Sequence, residues 1–239
     1  AATWVKVGME LVRGANDSAT INEVSEKLGY PMLPMGWGLA PLDVLGDFLR
    51  GFDQIMLDIY RYPDKVKKAV EKIQKVIIEQ ALIHVKNGCK YIMIPIHLNE
   101  YLSPKIFKEF FWNPLKEEII EFYKAGAKSI VFFEGQHEPY LETILDLPKG
   151  WGVAYFEKTD VVKAKEILKG HTCIMGGLPV SLLVNGTPET IDEYIKNLLE
   201  KVKPGGGFIL TTGVGSLPPQ TPVENITAVI EAVEKYGKY

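Results

Sequence analysis

From residue 64 onward, short apolar runs alternate with longer stretches in which apolar residues recur every three to four positions. Asp64 follows Pro63 and can cap a helix whose apolar positions are Val66, Val70, Ile73, Ile77 and Leu82, with Gly88 as its stop. The run YIMIPI (91–96) predicts a strand. Ser103 then precedes Pro104 as an N-cap precedes proline at the first helical position, predicting a helix to about Gly126 with a kink at Pro114. Further strands are expected at SIVFFE (129–134), GVAYFE (152–157), TCIMGG (172–177) and GGFILTTG (206–213). Between them fall a short helix at 139–145, a helix capped by Asp160 over VVKAKEILKG, and one from Thr187-Pro188 to Val202; Pro222 opens a closing helix.

Strands of four to six residues alternating with helices predict repeated βα units, hence an α/β fold with a parallel sheet covered on both faces. The clear units number five, and residues 1–63 add at most two strand candidates, WVKVGM (4–9) and YPMLPM (30–35), beside a helix at INEVSEKLG (21–29). The expectation is one domain over residues 1–239, a parallel (β/α)8 barrel of the TIM type, with a native protein that extends further at its N-terminus. A doubly wound open sheet is the alternative, but no glycine-rich fingerprint follows any strand as a dinucleotide fold requires.

Composition narrows the partners. The 239 residues carry 27 Lys plus Arg against 30 Asp plus Glu, a net charge of −3 that offers no attraction to nucleic acid or an anionic membrane. Cys89 and Cys173 lie in separate apolar runs, which argues against a disulfide framework and predicts packed core thiols in a reducing compartment. AATWVKVGMELVRG lacks a basic stretch followed by an apolar one, and no window approaches the roughly 18 apolar residues of a membrane span, so a soluble, cytoplasmic protein is expected.

In a parallel barrel the chemistry gathers just beyond the C-terminal strand ends. The polar residues there are His97, Asn99 and Glu100; Glu134, Gln136, His137 and Glu138; Glu157, Lys158 and Asp160; and Thr211, Thr212 and the Gly213-Val214-Gly215 turn. Glu134 ends the run IVFF ahead of Gly135 and can act as acid, base or metal ligand, with a solvated rim carboxylate as the bland reading. His97 and His137 share its face, whereas His84 falls mid-helix and His171 at the opposite strand end, positions that suit structural roles. Asp160 reads as a helix cap. Arg50 and Arg61 can grip a substrate carboxylate or pair with Asp53 or Asp58. The run Phe107, Phe110, Phe111 and Trp112 is too contiguous for one helix face, so part of it is expected at the surface. Glu134 and His137 are the candidate catalytic pair, with His97, Glu100, Trp37 and Thr212 as candidate substrate contacts.

The stretch GGLPVSLLVNGTPETIDEYIKNLLEKVKPGGGFILTTGVGSLPPQTPVENITAVIEAVEKYG resembles the end of uroporphyrinogen decarboxylases and of the corrinoid-dependent methyltransferases related to them. The likeness extends more loosely through GWGVAYFEKTDVVKAKEILKG, SPKIFKEFFWNPLK and FLRGFDQIMLDIYRYPDKV, about three quarters of the chain. Both branches are barrels. The decarboxylases resemble the chain around GGFILTTGVGSLPPQTP but carry histidine where Val214 stands, and their arginine-bearing N-terminal segment has no counterpart here. Zinc-dependent methyltransferases of the group carry His-x-Cys-Gly after the middle strand and a further cysteine near the last; Phe132, Glu134 and Val214 stand at those ligand positions. A cysteine-ligated zinc site is therefore not expected. His97, Glu134 and His137 remain as groups that can hold a metal through N and O ligands or serve as plain acid and base.

The resemblance implies a methyltransferase that moves a methyl group between a small O- or N-methylated substrate, with methoxylated aromatics preferred, and a corrinoid carried by a partner protein. A homodimer is compatible with it. The competing expectations are a non-catalytic barrel that binds a corrinoid partner and, third, a uroporphyrinogen decarboxylase.

Overall fold

A computed structural model of the chain describes residues 35–213 and 217–238 together with Val24, Lys27 and Gly29. The strand expected at 4–9, most of the helix at 21–29, positions 30–34 and Val214 lie outside the described residues. The chain divides into two units, Ala1–Pro34 and Met35–Tyr239, and the whole sheet belongs to the second.

Six strands form that sheet: β1 (Met35–Trp37), β2 (Tyr91–Ile96), β3 (Lys128–Phe133), β4 (Gly152–Phe156), β5 (Cys173–Leu178) and β6 (Phe208–Thr212). Their order is β1-β2-β3-β4-β5-β6, and every neighbouring pair is parallel. This consecutive order is that of a singly wound parallel barrel; a doubly wound sheet reverses direction part-way. Among the described residues the sheet stays open, with no pairing of β6 to β1, as fits the count of fewer than eight βα units.

Alternation sorts the strand side chains by face. Ile92, Ile94, Ile96, Val131, Phe133, Ala154, Phe156 and Ile174 are fully buried and pack on the helices, each large one contributing about 1.5–3 kcal/mol. The opposite face carries register rows such as Pro95, Phe132, Tyr155, Met175 and Ile209.

The helices are α1 (Pro41–Val44), α2 (Phe52–Arg61), α3 (Pro63–Lys86), α4 (Asn113–Lys124), α5 (Val161–Leu168), α6 (Val180–Asn185), α7 (Pro188–Val202) and α8 (Val223–Tyr236). α3 buries Val66, Val70, Gln74, Ile77 and Ala81 at the expected spacing, but Tyr62 holds its N-cap position and Asp64 sits in the first turn, where its charge faces the helix dipole. Asp160 caps α5 as expected, accepting from the amides of Val162 and Lys163. Thr187 and Thr190 form a reciprocal capping box at α7. Among the described residues no helix is long and apolar enough to cross a membrane.

The helix expected over 104–126 is interrupted. Pro104–Ile106 opens it, a wide π turn occupies Phe107–Trp112, and α4 resumes at Asn113. Pro114 cannot donate to the carbonyl four residues back, and the wider turn ahead of it absorbs that loss. The widening also turns Phe107, Phe110, Phe111 and Trp112 inward together, so none of the aromatic run reaches the surface. Cys89 and Cys173 are free and half-buried, not core residues.

Candidate active site at the strand ends

The C-terminal ends of β2 and β3 and the turn after α1 converge on one imidazole. His97 follows β2, and its Nδ1 lies 2.7 Å from Oδ2 of Asp47, which is carried by a π turn (Leu45–Arg50) extending α1. Glu134 follows β3 and brings Oε1 to within 3.4 Å of Nε2 of the same ring. The loop under the ring is fixed from below. Both oxygens of buried Asp43 accept backbone hydrogen bonds, from the amides of His97 at 2.9 Å and Leu98 at 3.1 Å.

The β3 loop is laced to its neighbours. Gly135 takes φ +68°, and its amide donates to Oε2 of Glu157 at 2.7 Å; the next amide, of Gln136, donates to Oε2 of Glu100 at 3.0 Å. A Cβ at 135 would lie 2.2 Å from the carboxyl carbon of Glu100, so glycine is required by space as well as by φ. Asn99 donates to the carbonyl of Glu134 at 2.8 Å. These bonds hold Glu134 at the mouth on a loop with little freedom.

Electrostatics follow from the crowding. Burial depresses the His97 imidazole, but the hydrogen bond to Asp47 and the charges of Asp43, Glu134 and Asp47 outweigh it and raise its pKa above the ordinary value. Burial raises Glu134; the His97 charge opposes this, and Glu157 and Asp47 reinforce it. Burial pushes Asp43 up to about 7 against its two backbone bonds. An imidazole held between two carboxylates, with one carboxyl raised toward neutrality, can store a proton and deliver it.

His137 is not part of this group. Its ring is fully buried against Phe107, Phe133, Tyr140 and Phe156, neither ring nitrogen has a hydrogen-bond partner, and burial lowers its pKa to about 3. Enclosed in this way, it cannot reach a substrate beside Glu134. The ligand set of His97, Glu134 and His137 is not assembled, and among the described residues no three His, Cys, Asp or Glu side chains are grouped to hold a metal ion. Glu100 stands beside the Glu134 loop. Trp37, 62% exposed, is not brought to the site: it pairs with Met93 of β2 and lines a hollow with Ile77, Gln80, Ile83 and His84 of α3; the carbonyl of Thr212 accepts the Tyr155 hydroxyl on the β6 side. Arg50 pairs with Asp58 through two bonds, at 2.7 and 3.2 Å, the structural alternative foreseen for it. His171 is likewise held by its neighbours, with one nitrogen 2.7 Å from the Thr172 hydroxyl and the other 2.9 Å from the Leu147 carbonyl.

Sequence reading missed Asp43 and Asp47. Their signal was two carboxylates four residues apart inside the otherwise apolar PLDVLGDFL, a spacing that puts both on one helix face.

A family model described as uroporphyrinogen decarboxylase matches residues 18–236. The chain belongs to the uroporphyrinogen decarboxylase family. Among curated relatives, it is 24% identical over 206 residues to a uroporphyrinogen decarboxylase of Coxiella burnetii, covering 84% of this chain and 56% of the relative. It is 26% identical over 220 residues to one of Helicobacter pylori, covering 90% and 63%. The chain thus spans 56% to 63% of the length of these curated relatives. Among solved structures it resembles a methyltransferase from Methanosarcina mazei, with TM-score 0.70 and 22% identity over 91% of this chain and 63% of that one. A B12-independent methionine synthase from Shewanella sp. W3-18-1 superposes with TM-score 0.51 and 13% identity, covering 71% of this chain and 55% of the other. At these identities the structural likeness shows a shared barrel fold, in agreement with the singly wound strand order.

Proposed function

We propose that the protein is an enzyme that transfers a methyl group between a small O- or N-methylated substrate and a corrinoid carried by a separate protein. The observation that carries the reading is the proton-holding chain Asp47–His97–Glu134 at the strand ends. The reduced corrinoid supplies the nucleophile that takes up the methyl group. The chain's own part is to hold the donor and protonate the oxygen or nitrogen that leaves. Glu134 is the acid at that atom, and His97, oriented by Asp47, returns the proton to it. Exposed Phe48 and Leu49, next to Asp47, and Tyr101, next to Glu100, at 59–68% exposure, give the surroundings of the site an apolar surface suited to a flat macrocycle.

The charge at the site disfavours the decarboxylase reading. Asp43, Asp47, Glu100, Glu134 and Glu157 crowd the ends of β2 to β4, and Arg50 is occupied by Asp58. A porphyrinogen bearing many carboxylates would meet like charge there. Incubation with a reduced corrinoid protein and a panel of methyl donors tests the proposal, with methyl-cobalt absorbance as the readout. Glu134→Gln should lower transfer by about 10²-fold or more. Full transfer by that variant with every donor would remove Glu134 from the chemistry.

A further inference from the structure

A cavity of about 720 Å³ opens beyond the ends of β4, β5 and β6, on the helix side of the sheet between α5 and α7. Its volume is in the range that holds a small organic molecule. It is separate from the carboxylate–imidazole chain and meets the loop of Glu134 at Glu157, whose carboxylate receives the Gly135 amide, and at Lys158, whose amide donates to the Gly135 carbonyl.

The floor is apolar, built from Val161, Leu178, Pro179 and Leu198. Beside the cavity the end of β5 packs closely on its neighbours. Gly177 has φ +90°, and a Cβ there would fall 2.9 Å from Val161 and 3.1 Å from Leu198. The Tyr194 hydroxyl donates to the Gly177 carbonyl at 2.7 Å, tying α7 to the end of β5 across the cavity wall.

The charges in the lining are unequally satisfied. Asp160 uses Oδ1 to cap α5, and Glu157 uses Oε2 on the Gly135 amide, so backbone donors fix the direction of both carboxylates. Lys158 and Lys201 also line the cavity; the Lys158 charge acts on Glu134 of the neighbouring site, whereas among the described residues the Lys201 ammonium has no hydrogen bond or ion pair. The Lys201 ammonium is therefore the cation left to a ligand, above an apolar floor.

We propose that this cavity is a second ligand site for a small organic anion, a carboxylate or sulfonate head on an apolar body, with Lys201 holding the head. An ammonium freed from competing carboxylates makes charge-assisted bonds to such a head, while Val161, Leu178 and Leu198 remove the body from water. The proposal does not rest on the methyl-transfer reading, and its assay contains no methyl donor.

The probe is 8-anilinonaphthalene-1-sulfonate, titrated by fluorescence against the whole chain, with neutral N-phenyl-1-naphthylamine as the comparator. One saturable sulfonate site is expected. Lys201→Gln should weaken it by about tenfold, a loss typical of one charge-assisted contact, and leave the neutral probe unchanged. Asn197→Trp, at an exposed lining position, should block both probes. Benzoate should displace the sulfonate and inorganic phosphate should not. Sulfonate affinity that survives Lys201→Gln within about twofold, with melting temperatures unchanged, overturns the proposal. So does displacement by phosphate as readily as by benzoate, because the apolar body would then play no part.

Discussion

Asp47 and Glu134 address opposite nitrogens of one ring, Nδ1 of His97 at 2.7 Å and Nε2 at 3.4 Å. Asp47→Asn keeps the shape and removes one of the charges that raise the imidazole, so the His97 pKa, followed by its ring-proton NMR shifts, should fall. A raised folded pKa contributes stability that is fully present below the unfolded pKa and is lost as pH rises through the folded one. The stability gap between parent and variant should therefore be widest near pH 6 and shrink toward pH 9. A gap that widens with rising pH would contradict the assignment.

Glu118, on α4, is buried at 0% exposure with neither carboxyl oxygen hydrogen-bonded, and burial raises its pKa well above the ordinary range. Burial favours the neutral acid in the folded protein, so its stability contribution declines as pH rises from the unfolded carboxylate pKa toward the raised folded one. Glu118→Leu removes an unsatisfied buried group and should stabilise by about 1–3 kcal/mol at pH 7.5, less at pH 4.5. Urea denaturation at the two pH values checks both the sign and the trend.

His137 should be dispensable for turnover. Surrounded by Phe107, Phe133, Tyr140 and Phe156 and lacking partners for its nitrogens, it packs as an aromatic plate. His137→Phe is expected to fold at least as stably and to keep methyl transfer within about threefold of the parent. A loss of about 10²-fold with unchanged melting would return His137 to the catalytic group.

Gly135→Ala should cost about 1–3 kcal/mol, since φ +68° is strained for alanine and the new Cβ meets the Glu100 carboxyl. Pairing it with Glu100→Ala removes the collision and leaves the φ strain. The double variant should recover part of the loss in thermal melts, and a purely additive result would show that Glu100 does not press on this turn.

The strands were legible because each is a short apolar run bounded by turn residues; YIMIPI became Tyr91–Ile96 without a shift. Caps at Asp160 and Thr187 were legible for the same local reason. The aromatic run at 107–112 was not, because its burial depends on a wide turn that no α-helical period anticipates. Glu134 and His97 were found by their place after strands. Asp47 was hidden because its partner lies 50 residues away, and His137 misled because loop position says nothing about which way a ring points.

The consecutive strand order has a consequence for how the chain reaches this state. Each strand from β2 to β6 pairs with the strand immediately before it, so every crossover joins strands consecutive in sequence and none must wait for a distant partner. Assembly can extend one βα unit at a time, each finished strand serving as the template for the next. Hydrogen exchange should accordingly release protection in steps along the sequence, with the inner pairs β2–β3 and β3–β4 opening last.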